Sequence, residues 1–503
     1  MPKIRINKMN IQGDEMNLNE QIYPSKEEFL KLAEEYDRVT IYREIVGDTF
    51  TPITLLRNFS NEENIFLLES ANLDKTFSRF SFFGNNPKRV ITFENGEVIE
   101  KKGGKTQKFA MNPMDYMGQQ FYEENGYNDG KFGDFSGGFA GFFSYEAINY
   151  MDILRKPLKV DKKTKLVGFM EVDEFYAFDN HHSKLYAAIS VKTKDPEVAY
   201  DRAVKRTLKM NAEVNRFNFD NYDSDLDCEL VLDMEQDEFM EKVQALREEI
   251  INGEAIQIVL SNAYRLKGKI NPLSLYRALR NVNPSPYMFY LKFGNEVLLG
   301  ASPEIHLKIR ERVATLKPIA GTYPITEDIE ATKSGLLADP KERAEHLMLL
   351  DLARNDLYTC CEPESVKVTE QFNPEVYSHV IHIVSEVVGK LEDGRSPLDL
   401  FMRSFPAGTV SGAPKVRAME LIEQYETSER GFYAGCVGYF GYSGNMDTCI
   451  TIRSAYVKED ETVFRAGAGI TYDSVPETEF KEVGNKLGAL FAAYRNIGIT
   501  EGR

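Results

Sequence analysis

The 503 residues are 42% hydrophobic and 28% charged, the make-up of an ordinary globular protein with chain enough for roughly two to four domains. A formal charge of −17 argues against a non-specific nucleic-acid or anionic-membrane surface. Residues 1–14 lack an apolar signal core, no run reaches the roughly eighteen apolar residues of a membrane span, and Cys228, Cys360, Cys361, Cys436 and Cys449 fit neither a disulfide framework nor a zinc spacing, so a cytoplasmic protein with reduced thiols is expected.

In chain order, the first half reads as mixed α/β. Ser25 caps a helix carrying Phe29, Leu30 and Leu32; a strand follows at 39–45, a short helix at 51–59, and a strand at 65–68 that runs into Glu69 and Ser70. Asn95-Gly96 marks a hairpin turn between strands at 90–93 and 98–99. In FSGGFAGFFSY, 135–145, glycines among aromatics suit close sheet packing better than phosphate binding, because no lysine follows in the P-loop pattern. Strands at 169–178 and 184–191 and a helix at 196–210 lead to a polar, Asn/Asp-rich stretch, 211–227, which is the best boundary between an N-terminal region, 20–210, and a C-terminal one, 228–498.

The second half opens with an amphipathic helix at 238–252, with Phe239, Val243, Leu246 and Ile250 on one stripe and Gly253 as its stop. A strand at 255–260 contains Gln257. Helices are expected at 273–280, 341–358, 414–425 and 476–495, and strands near 287–293, 297–300, 377–388, 434–442 and 448–456. Helices mixed with hairpin-like strand pairs give an α+β class rather than a doubly wound sheet.

Several clusters bear on chemistry. In RAGAGITYDSVPETEFKE, 465–482, a short strand ends in Gly467, Ala468 and Gly469, whose small side chains let a ligand approach the backbone, and the following helix carries Glu479, Glu482 and Lys486 on one face. Seen alone, the segment is also a tight strand end before a solvated acidic helix. Glu342, Glu345 and His346 share a helix after Pro340, as solvated surface or as ligands for a hard cation such as magnesium. His382 lies in an apolar strand with His379 on its other face; it is either a satisfied core residue or a general acid or base. PAGTVSGAPK, 406–415, offers amides and hydroxyls at a helix start, for an anion or for ordinary capping. Cys436, in AGCVGYF, reads as core rather than nucleophile.

Five motifs then come together. PIAGT (318–322), EHLMLLDLARNDL (345–357), GTVSGAPKVRAMELI (408–422), DTCITIRSA (447–455) and AGAGITYDSVPETE (466–479) closely resemble the anthranilate synthase component I family, in the right order and over most of the chain. The resemblance implies two facing, mostly antiparallel β-sheets with helices packed outside and an active-site cleft between them. It implies a chorismate-utilising lyase in which Glu345 and Glu482 bind magnesium, Arg453 pairs with the enolpyruvyl carboxylate, and Gly321, Thr322, Tyr433, Gly467, Ala468 and Gly469 complete the substrate contacts. His382 matches the family's catalytic histidine. A glutamine amidotransferase subunit, component II, is the implied partner, since the chain carries no recognisable glutaminase constellation.

Related enzymes release other products from chorismate. Aminodeoxychorismate synthases typically carry lysine where this chain has Ala320, and isochorismate and salicylate synthases usually carry lysine where it has Gln257; both departures favour anthranilate. A tryptophan-binding protein on the same fold, without catalysis, is the alternative in another class. The family also implies feedback inhibition by tryptophan, at a pocket built from LLES (67–70) and NPSPYMFY (283–290), with Ser70, Pro286, Tyr287 and Met288 as contacts.

Overall fold

The computed structural model describes residues 22–45, 47, 49–70, 79–214, 223–376 and 380–502, with Thr322 described in its backbone alone. Residues 1–14, His379 and the centre of the polar stretch at 211–227 lie outside the described residues. Among those described, no helix is long and apolar enough to cross a membrane.

Strand alternation and the pairing of hairpins build two large sheets whose ladders are all antiparallel, one of thirteen strands and one of twelve among the described residues. The expected α+β class with two facing sheets is therefore what forms. The two halves of the sequence meet edge to edge in both sheets. Asn64–Glu69 pairs with Tyr287–Phe293 in the first, and Gly138–Phe143 pairs with Cys436–Gly441 in the second. At the second seam Gly141 faces Gly438, and a side chain on either would strike a backbone oxygen, so the glycines of FSGGFAGFFSY serve sheet packing.

A phenylalanine-rich core fills the space between the sheets. Phe135 is fully buried, with its ring centroid 4.8 Å from Phe82, 5.0 Å from Phe175 and 4.8 Å from Tyr439. Burying one such ring stabilises the fold by about 2–3 kcal/mol. A second core lies on the other face of the first sheet, under Gln236–Ile251, Pro272–Val282 and Pro476–Arg495. Phe239, Val243 and Leu246 bury the predicted stripe of the first of these, and Gly253, at φ +85°, ends it. The Asn95-Gly96 hairpin has both φ angles positive, as a two-residue turn matched to strand twist requires.

Two predicted strands are each two strands. The run at 169–178 divides at Asp173 into Val167–Val172 in the second sheet and Glu174–Asp179 in the first. The run at 448–456 divides at 451–453 into Met446–Ile450 and Ser454–Lys458, again in different sheets. Asp173 is held at its crossing by the buried Arg38, whose Nη1 donates to Asp173 Oδ1 at 2.6 Å and whose guanidinium lies 4.0 Å from the Tyr442 ring centroid. The strand expected at 255–260 continues to Lys267, paired along its length with Glu461–Ile470.

Candidate active site

The ladder between Gln257–Lys267 and Glu461–Ile470 supplies one wall of the expected cleft. Side chains alternate across it, so Gly467 and Gly469 share a face while Ala468 points the other way into the outer core, leaving its backbone alone on the cleft side. A methyl group on Gly467 would lie 2.8 Å from Tyr433 Oη and 2.9 Å from the Leu260 carbonyl oxygen; one on Gly469 would lie 2.6 Å from Gln257 Nε2. Tyr433 and Gln257 thus pack directly on a bare backbone floor.

Both predicted metal-binding carboxylates are tied to this floor. Gln257 Nε2 donates to Glu345 Oε1 at 3.1 Å, from beside Gly469. Glu345 stands on Pro340–Tyr358, a helix whose first amides donate to the Asp339 side chain. On Pro476–Arg495, Lys486 Nζ lies 2.7 Å from Glu482 Oε1 and donates to the Gly467 carbonyl at 2.9 Å. Among the described residues no three His, Cys, Asp or Glu side chains form a metal cage. Two carboxylates on separate helices, leaving other positions to water and ligand oxygens, are a donor set that suits magnesium.

Arg453 ends the sheet crossing at 451–453. Its backbone is left-handed, φ +52°, and its carbonyl accepts from Ala301 N at 3.1 Å. The guanidinium is largely buried yet makes no ion pair or hydrogen bond with the described residues. Burial lowers its pKa, against the opposing effects of Tyr433, Glu304 and Glu482 nearby. A buried cation without a partner is costly unless an anion arrives to match it.

His382 Nδ1 lies 2.6 Å from the Gly321 carbonyl oxygen, which can only accept, so the proton is on Nδ1. Gly321 takes φ +67° at an irregularity in the pairing of Ile319–Pro324 with Val380–Lys390, which turns its carbonyl toward the ring. Burial lowers the His382 pKa, with Arg453 and Lys486 pushing the same way against the hydrogen bond to Gly321; the net shift favours the neutral imidazole.

One group was missed in the sequence. Glu304, between strands Glu296–Ser302 and Ile305–Arg310, is buried, and burial pushes its carboxyl up to about 7 in spite of Thr409, Arg453 and Lys486. The available signal was an acid at the junction of two apolar strands.

Other candidates resolve as structural. His346 is fully buried, its Nε2 lies 2.7 Å from Ser385 Oγ, and burial brings its pKa down to about 4. Lys415, at the end of the 406–415 loop, bonds Asp356 Oδ2 at 3.0 Å and the Ser404 carbonyl at 2.8 Å. Cys436 is buried with its thiol pushed up, an inert core residue.

The two halves expected to form an effector site do meet, since Met288 pairs with Glu69. Ser70 is buried with its Oγ lacking a partner among the described residues, and Pro286 is buried. Tyr287 Oη donates to Asp447 Oδ1 at 2.9 Å. The Met288 side chain, however, joins the outer core, across the sheet from Tyr287.

This arrangement has known counterparts. The sequence matches the family of chorismate binding enzymes over residues 63–492. It is 35% identical to anthranilate synthase component 1 of Acetivibrio thermocellus, over 95% of this chain and 99% of that one. To the protein of the same name from Aquifex aeolicus (strain VF5) it is 37% identical, over 95% and 98%. The crystal structure of anthranilate synthase component I from Streptococcus pneumoniae TIGR4 superposes with a TM-score of 0.73 at 31% identity, covering 83% of this chain and 93% of that one. The menaquinone-specific isochorismate synthase of Escherichia coli shares the fold, with a TM-score of 0.67 at 18% identity. With its five motifs in order and 95% of its length matched by each of the two sequences, the chain belongs to the anthranilate synthase component I family of chorismate-binding enzymes.

Proposed function

We propose that the chain is the large subunit of an anthranilate synthase, converting chorismate and ammonia to anthranilate, pyruvate and water. The observation that carries this reading is the guanidinium of Arg453, without an ion pair or hydrogen bond among the described residues, in the field of Glu482, which with Glu345 anchors on a glycine floor. Chorismate is a dianion, and the two ends of this site offer its two carboxylates different partners. Arg453 takes the enolpyruvyl carboxylate, for which a planar guanidinium is suited. The ring carboxylate lies toward Glu345 and Glu482, against Gly467 and Gly469, with Gly321, Thr322 and Tyr433 completing the contacts. Magnesium bound by Glu345 and Glu482 would supply the positive charge that fixes this carboxylate.

Ammonia adds at C2 as the C4 hydroxyl departs. Glu304, protonated in part at neutral pH, is the better donor to that hydroxyl, while neutral His382 suits removal of the C2 proton as pyruvate is eliminated. Gln257 is engaged with Glu345 and Ala320 has no amine, so neither position offers the lysine that related enzymes use. The relatives' name, component 1, supports a second component, and a glutamine amidotransferase subunit is the partner proposed. Tryptophan is proposed as the inhibitor, at the site holding Ser70, Pro286, Tyr287 and Met288.

Purified chain with chorismate, ammonium and magnesium should release anthranilate and pyruvate in equal amounts, and glutamine should not replace ammonium without the partner. A stable 4-amino product or isochorismate in the chromatogram would overturn the assignment. Tryptophan binding with no turnover at all would favour the non-catalytic alternative.

A further inference from the structure

A pocket of about 50 Å³ lies between the second sheet and the helix Pro340–Tyr358, and Glu304 forms part of its wall. The rim carries the partly exposed Lys317, Leu352 and Ala407. The volume exceeds the 10–15 Å³ or so that one water needs. Two buried polar atoms of its lining are poorly satisfied: Thr409 reaches the Glu304 carboxyl and His306 the Ser404 backbone, but neither Thr409 Oγ1 nor His306 Nε2 makes a hydrogen bond of good geometry with the described residues. Poorly satisfied buried polar atoms beside a space of this size are what ordered water completes.

The Glu304 carboxyl is in the field of Arg453 and Lys486 and within reach of the Thr409 hydroxyl, and both Glu304 and Thr409 line the pocket. We propose that this pocket holds a short chain of water molecules through which Glu304 exchanges protons with solvent while chorismate fills the cleft. The proposal rests on the reading of Glu304 as proton donor to the departing hydroxyl. In each turnover the Glu304 O–H bond breaks, its proton leaves with the C4 oxygen as water, and the carboxylate must regain one. A hydronium or buffer acid at the pocket rim supplies that proton, and the one released when the added ammonium group becomes an amine balances it in solution.

The other ionisable groups of the pocket do not replace the water. His306 is fixed neutral, its pKa brought down to about 3 by burial with Lys415 adding to the effect. Asp356 is committed to Lys415 at 3.0 Å, and Lys317 to Glu386 at 2.9 Å. The pocket is thus a place for small, neutral, hydrogen-bonding molecules, a class that includes ammonia as well as water.

Thr409→Val, which keeps the shape and removes the hydroxyl, and Ala407→Phe, which fills the rim, test the idea in the full chain with ammonium and magnesium. Both should lower kcat by about tenfold, a part of the roughly hundredfold or more that a positioned general acid supplies. The solvent deuterium isotope effect on kcat should rise, with the KM values for chorismate and ammonium unchanged. Wild-type kcat and isotope effect in a folded Thr409→Val protein would overturn the water chain, whatever the fate of Ala407→Phe. A raised KM for ammonium with an unchanged isotope effect would overturn it too, by making the pocket an entry for the nucleophile. Glu304→Gln separates the two levels of argument: full activity there refutes the donor role itself, whereas its inactivity beside an unaffected Thr409→Val refutes the pocket alone.

Discussion

Gly469→Ala isolates what the bare floor does. The new methyl would stand 2.6 Å from Gln257 Nε2, closer than carbon and nitrogen approach, and 3.5 Å from its Cδ. Gly469 does not have a positive φ, so alanine introduces no backbone strain and the clash falls on the end of one side chain. The amide must swing away, and its 3.1 Å bond to Glu345 is lost with it. A hydrogen bond to a charged group contributes about 1.5–3 kcal/mol. Misplacing Glu345 by that much corresponds to a fall of roughly ten- to a hundredfold in kcat/KM for chorismate. Ammonium-dependent anthranilate fluorescence measures it, with thermal unfolding alongside to show that the fold survives. Adding Gln257→Ala should cost little more, because the coupled pair is already broken. Wild-type kcat/KM in folded Gly469→Ala, or costs that simply add in the double variant, would refute the reasoning. At Gly467 the same change meets the Leu260 backbone as well as Tyr433, so instability of about 1–3 kcal/mol is expected instead.

Glu304→Gln should lower kcat by about a hundredfold and remove the loss of activity that the wild type shows as pH rises through about 7, because the acid works only when protonated. The same raised carboxyl makes the folded protein less stable as pH climbs from its ordinary value of 4.5 to about 7, a slope that chemical denaturation of Glu304→Gln should lack. Glu345→Gln or Glu482→Gln should each abolish magnesium-supported turnover while the circular dichroism spectrum is retained; normal turnover in either removes it from the metal site. Ser70→Ala should raise the tryptophan concentration for half-inhibition, read from inhibition curves. Met288→Ala, with its side chain in the outer core, should also lose about 2–4 kcal/mol of stability in urea titrations. Gly488→Ala, in an interior helical turn with nothing within 4 Å of the new methyl, should stabilise the chain by about 0.5–1 kcal/mol with unchanged kinetics.

Elements announced by local chemistry were legible. The helix Pro476–Arg495 and the strand Tyr287–Phe293 fall at their expected bounds because proline marks the start of one and flanks the other. The glycine wall was legible as a place of close approach, but its partners Tyr433 and Gln257 are remote in sequence, and only the ladder register shows which glycine meets which. The strand crossings were not legible. An apolar run such as 448–456 looks the same whether it stays in one sheet or passes to another, since both sheets bury both faces there. Glu304 was hidden for a related reason: its importance is burial, and burial at a strand junction is set by what packs across it. Short strands such as Val313–Leu316 carry too few residues for a period to show.

The hydrogen bond from Tyr287 to Asp447 has a mechanical consequence. Asp447 and Arg453 lie six residues apart, joined by the end of a strand and the turn at 451–453, where Ile452 N donates to the Ile450 carbonyl at 2.9 Å and Arg453 takes φ +52°. One end of this segment is gripped from the neighbouring sheet, and the other carries the guanidinium. Its length is then a fixed dimension of the enzyme. Inserting or deleting a single residue between Thr448 and Ile452 would turn alternate side chains over and swing Arg453 out of the cleft, even with every other contact of the site retained. Surface loops such as Gly103–Gly104, where a side chain meets open space, bear no such constraint.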